Sequence, residues 1–102
     1  MTELDAHQVM FVRSGTSLWR SMFDGVVILG PLAERPVLVT KPGLTIWQML
    51  TDPITQREIV NRLVSVYAAT PETVDADVGD VLSRLEAIGA ISRGTSPARR
   101  NR

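Results

Sequence analysis

The sequence has no cysteine and a single histidine, His7, among 102 residues. Disulfides and thiolate metal sites are therefore excluded, and His7 has no partner with which to build a zinc site or an activated nucleophile. Aromatic residues make up only 5%. No apolar run approaches the roughly 18–20 residues needed to cross a bilayer. Residues 1–8, MTELDAHQ, are acidic and lack the apolar core of a secretory signal. Net charge is missing too, since eleven Lys+Arg balance eleven Asp+Glu.

What is present describes a small folding unit. A hydrophobic fraction of 44% and a mean hydropathy of +0.07 support a modest core rather than an unfolded chain. The expected organisation is one cytoplasmic domain over 9–92, with its sheet in 9–41 and its helices in 44–89. A frayed segment, 1–8, precedes it, and a disordered Arg-rich tail, 93–102, follows. Charge is unevenly spread: Glu72, Asp75, Asp77, Asp80 and Glu86 face only Arg84 in the third helix, whereas the tail carries Arg93, Arg99, Arg100 and Arg102.

The first half reads as strands. Residues 9–13 form a short apolar run whose partner nothing local specifies. Residues 18–23 and 26–29 flank Asp24-Gly25, a pair that favours a hairpin through a type I′ turn with positive φ at both central residues. Val37–Thr40 lies between Pro36 and Pro42. Proline cannot donate to a ladder, so the brackets limit the strand and place it at a sheet edge. A three-stranded antiparallel meander results.

The second half reads as three helices. The first runs over 44–50 and stops before Pro53. Thr55 and Glu58 form a capping box for the second, whose apolar stripe is Ile59, Leu63, Val66 and Tyr67. Thr70 and Pro71 open the third. There Val74, Val78, Val81, Leu85 and Ile88 recur every three or four residues, Leu82 widens the face, and Gly89 serves as the C-cap. The fold class is thus α+β, a three-stranded antiparallel sheet followed by three helices, similar to a winged helix-turn-helix. Trp47 and Tyr67 read as core aromatics, while Trp19 cannot be assigned to a sheet face by parity. Gly79, inside the third helix, is either a tolerated exposed glycine or a point where another chain comes close.

No set of residues points to catalysis, a metal or a cofactor. Asp77 and Asp80 are better explained as a solvated helix flank than as an acid–base pair. The glycines fit turns and caps and form no phosphate-cradling cluster. DNA binding, the competing class for a winged helix, needs a positive surface, and the acidic third helix opposes it. The edge strand beside that helix can receive a peptide as an additional strand. Equally, its brevity and flanking prolines can serve only to block aggregation. Homodimerisation through the same edge is a third reading.

The spacing of Leu38, Gly43, Ile46-Trp47, Leu50, Pro53-Ile54-Thr55, Glu58-Ile59-Val60, Leu63, Tyr67, Asp77-Val78, Leu82, Leu85, Gly89 and Ile91 resembles the PqqD-like family. That family is named for the D protein of pyrroloquinoline quinone biosynthesis, and its members recognise precursor peptides of ribosomally made, post-translationally modified peptide pathways. The resemblance covers about half the chain closely. It implies a non-catalytic adaptor that binds a precursor's leader segment by strand addition and delivers it to a leader peptidase, cyclase or radical enzyme. Neither nucleic acid nor membrane is implied as a partner. Carried onto this chain, the leader pairs with Val37, Leu38, Val39 and Thr40, while Asp77, Asp80, Val81 and Arg84 line the helical side. Residues 9–13 and the arginine tail lie outside the family pattern.

Overall fold

The computed structural model describes residues 9–94. Six strands and three helices alternate in an α+β arrangement: β1 (Met10–Arg13), β2 (Leu18–Met22), β3 (Gly25–Leu29), β4 (Val37–Thr40), α1 (Gly43–Met49), β5 (Ile54–Thr55), α2 (Gln56–Val66), α3 (Pro71–Ala87) and β6 (Ile91–Gly94). His7 and the arginines of 95–102 lie outside the described residues.

The meander is present as β2-β3-β4, all antiparallel. Its first turn differs from expectation. Met22 pairs with Gly25, so Phe23 and Asp24 are the loop residues, and neither has positive φ. The turn is therefore not of type I′, and the Asp-Gly signal located the hairpin without giving its geometry. Directly paired residues share a face. Val26 and Ile28 are 1% and 0% exposed, so their partners Trp19, Ser21, Val37 and Val39 belong to the core side. Leu18, Arg20, Met22, Val27, Leu29, Leu38 and Thr40 face outward.

Residues 9–13 are not part of that sheet. β1 lies between β5 and β6 in a second antiparallel sheet, pairing Phe11 with Ile54 on one side and with Arg93 on the other. The sheet assigned to 9–41 is thus two sheets, one of which recruits segments from beyond residue 50. β6 runs through Arg93 and Gly94, two residues into the stretch read as tail. Arg93 is fixed there by Glu86, whose carboxylate accepts from Nε and a terminal guanidinium nitrogen at 2.7 Å each.

Local chemistry accounts for the helix ends. Thr55 Oγ1 accepts from the Glu58 N–H at 3.1 Å and Glu58 Oε1 accepts from the Thr55 N–H at 3.0 Å, completing the capping box. Thr70 Oγ1 accepts from the Thr73 N–H ahead of Pro71. At the far end of α3, Gly89 adopts φ +75°, and the Gly89 and Ala90 N–H groups reach Glu86 O and Leu85 O. That pair of bonds is a Schellman motif, and its left-handed residue favours glycine.

Val74, Val78, Leu82 and Leu85 of α3 pack with Ile59, Val60 and Leu63 of α2 and with Ile46, Trp47 and Leu50 in one core. Val66 and Tyr67 depart from the expected stripe, being 73% and 38% exposed. The helix ends at Val66 and Tyr67 turns extended, so the periodic face has no helix left to continue it. Gly79 faces α2: a Cβ there would lie 3.3 Å from Gln56 Nε2, which donates to Asp75 of α3. The close neighbour is this chain's own second helix.

Candidate functional site: an open strand edge beside α3

Among the described residues β4 has β3 on one side and no strand on the other. Val37 and Leu38 are 38% and 61% exposed, Thr40 is exposed and Val39 is half-buried. Among the described residues the main-chain groups on that edge have no backbone partner, the condition under which one more strand can add. Apolar side chains alternate above and below it.

The edge meets α3 over a glycine. A Cβ on Gly43 would lie 2.6 Å from Val39 Cγ1 and 3.9 Å from Val81 Cγ1. The strand and the helix therefore approach each other across a floor that tolerates no side chain. Two of the expected site residues, Val39 and Val81, are brought together there. Asp80 and Arg84 lie on the same flank of α3, paired at 3.1 Å with both side chains largely in water. An exposed i,i+4 pair of this kind contributes little and exchanges easily for a ligand's charges.

Asp77 lies where the groove widens. It rims a cavity of about 350 Å³ together with Lys41, Pro42, Ile46, Leu63, Tyr67, Ala69, Val74 and Val78. The floor is apolar, since Ile46 and Val78 are fully buried and Leu63 and Val74 nearly so. Lys41 and Asp77 make no ion pair among the described residues. The socket opens where β4 ends, and its shape fits a large apolar side chain between two opposite charges. Apart from Asp77, its lining was not anticipated. Tyr67 was read as core because its spacing from Leu63 continues a helical stripe. Lys41 carries no signal for a cavity beyond closing the edge segment before Pro42.

A larger cavity of about 680 Å³ lies on the opposite flank of α3, between Phe11, Arg57, Val60, Glu72, Asp75 and Arg93. The adjoining strand there, β6, is tied to α3 by the Arg93–Glu86 fork. That strand–helix gap is bridged by an ion pair, whereas among the described residues no hydrogen bond or ion pair joins β4 to α3. Hydrogen bonding from Arg93 holds the Glu86 carboxyl below its ordinary pKa and raises that of Arg93. Among the described residues no three His, Asp or Glu side chains cluster to hold a metal, and no helix is long and apolar enough to cross a membrane.

The fold is a small α+β domain in which β4, one of the two outer strands of its sheet, ends beside an apolar cavity lined by the helices. The family described as coenzyme PQQ synthesis protein D (PqqD) matches residues 25–91, most of the chain, and the protein belongs to that family. The match spans β3, β4, all three helices and the start of β6, so it contains both walls of the groove. Comparisons with curated proteins and with solved structures returned no match.

Proposed function

We propose that the protein is a non-catalytic adaptor for the leader segment of a ribosomally made precursor peptide. The leader adds as a strand to β4 along Val37, Leu38, Val39 and Thr40, and Asp77, Asp80, Val81 and Arg84 form the helical wall. The observation that carries this reading is the unpaired β4 edge opening onto α3 over Gly43. Main-chain bonds give affinity in such an arrangement, and side-chain pockets give selectivity. Every pairing in the β2–β4 sheet is antiparallel, and an antiparallel addition brings the N-terminal part of the leader to the end of β4. There the socket between Lys41 and Asp77 receives an apolar anchor. The C-terminal part, leading to the residues that are modified, then leaves past the start of β4.

Adaptor function is a matter of concentration rather than chemistry. Tethering the precursor makes its encounter with a leader peptidase, cyclase or radical enzyme quasi-intramolecular. The outward face of the β2–β4 sheet suits the docking of that enzyme. Leu18, Met22 and Leu38 are exposed there, Phe23 stands fully exposed at the hairpin tip, and an added leader strand extends the same sheet. Exposed apolar side chains gathered on one face are the kind of surface that a protein partner covers.

The test is a titration of isotope-labelled protein with the cognate leader, followed by amide resonances. The amides of 37–40 and of the Asp77–Arg84 flank should shift, while those around Arg57 and Glu72 should not. Unmoved resonances in 37–40 would end the strand-addition reading. Winged-helix DNA binding predicts instead a mobility shift on random duplex with steep salt dependence, and the five acids of α3 oppose it. A homodimer through β4 predicts a change in hydrodynamic size on adding leader.

A further inference from the structure

The β2–β4 sheet shares no strand with the second sheet, so its position over the helices depends on a few ties. One lies on its midline, past the end of β3: the Leu32 N–H donates to Ile88 O at 3.0 Å, and Gly30 sits so close that a Cβ would be 2.1 Å from that oxygen. A second, on the β4 side, is the packing of Val39 against Gly43, whose other neighbour is Val81. On the β2 side the ties are the Ser17 hydroxyl, which donates to Ala90 O at 3.1 Å just before β2 begins, and, within the strand, Trp19, held through Arg13.

Arg13 is anchored in β1, where its N–H donates to Leu50 O at 3.0 Å. Its guanidinium donates to Trp47 O from Nε at 3.1 Å and from a terminal nitrogen at 2.8 Å. The same group lies 4.4 Å from the Trp47 ring centroid and 4.7 Å from that of Trp19. The two rings are 6.0 Å apart and inclined at 76°, so the cation fills the corner between them. Among the described residues Arg13 has no carboxylate partner. A planar fork that stacks and donates at once is a task for arginine that lysine does not reproduce.

We propose that Arg13 is a positioning residue for the β4–α3 groove, setting its width from the far side of the sheet. The proposal rests on reading that groove as the leader site. β3, with Val26 and Ile28 buried, is the fulcrum, and β2 and β4 flank it two interstrand spacings apart, about 10 Å. Pinning Trp19 stops the sheet from rocking about the line through β3 and Gly30. Released, the same rotation moves β4 relative to α3. By reciprocity, a strand seated on β4 changes the packing of Trp19.

The absence of cysteine allows two to be introduced for spin labels. Thr40→Cys with Ala76→Cys reports the groove, and Arg62→Cys with Ala76→Cys reports the helical half alone. Dipolar distance distributions are compared for Arg13, Arg13→Lys and Arg13→Met. Both substitutions should broaden the groove distribution, leave the helix pair unchanged and alter tryptophan emission. Leader affinity should weaken by roughly 2- to 30-fold, the span of coupling carried through a packed network. Trp19→Ala removes the other half of the pin and gives the same broadening should Arg13→Met fail to fold. An unchanged groove distribution overturns the proposal, as does equal broadening of both pairs, which would make Arg13 merely stabilising. A broadened groove in a protein whose wild type binds no leader leaves the role of Arg13 standing and removes only the assignment of the site.

Discussion

Single residues decide whether the groove exists. Gly43 is the clearest case, since its missing side chain is what lets Val39 and Val81 approach over it. Gly43→Ala puts a methyl 2.6 Å from Val39 Cγ1, an overpacking expected to cost about 1–3 kcal/mol. Urea unfolding should show that loss and leader titration should show weakened binding; full stability with full affinity would mean the strand and helix are not closely apposed. Glu86 offers a test by pH. Its hydrogen bonds from Arg93 place its folded pKa below the unfolded one. The contribution of the pair is therefore complete above the unfolded value and fades as pH falls through the folded one. Arg93→Met should move the Glu86 carboxyl midpoint upward in a carbon-13 titration, and an unmoved midpoint would show that the fork is not populated. Both groups are accessible to solvent, so the effect on overall stability is small.

At the scale of elements, what could be read in the chain was what is local. Thr55 with Glu58, Thr70 with Pro71, and Gly89 each satisfy orphan backbone groups within a few residues, and all three signals name helix ends found in the structure. The pairing of β1 was illegible because its partners, β5 and β6, lie some forty and eighty residues away and are two and four residues long. Nothing in ISRG announces a strand. The outer position of β4 could be anticipated because Pro36 and Pro42 bracket it, whereas the socket at its end could not, being assembled from α1, α2, α3 and the residues after β4. The two flanks of α3 can be told apart by charge. Arg84→Glu leaves Asp77, Asp80 and the new acid together on the groove wall, and leader affinity should change a few-fold, about 0.5–1 kcal/mol for an exposed charge. Arg57→Glu alters the opposite flank and should leave binding unchanged. Equal effects in calorimetric titrations would place the leader on the wrong side of the helix.

Among the described residues two surfaces of the β2–β4 sheet adjoin. One is the main-chain edge of β4, and the other is the outward face of the sheet to which that strand belongs. On the proposed reading a bound leader extends the sheet, so a partner seated on the outward face would contact adaptor and leader together. Recruitment can then depend on the leader being present without any change of fold. Phe23 separates the two functions. It is fully exposed, so Phe23→Ala should change stability by no more than about 0.5 kcal/mol, and it lies in the β2–β3 turn rather than on the outer edge of β4. Leader affinity should be unaltered, while processing by the cognate maturation enzyme in the presence of adaptor should fall by about tenfold or more, the loss of one aromatic anchor. Processing at the wild-type rate would remove the outward face from the enzyme interface. A change in sedimentation instead of processing would assign Phe23 to a contact between two copies of the chain.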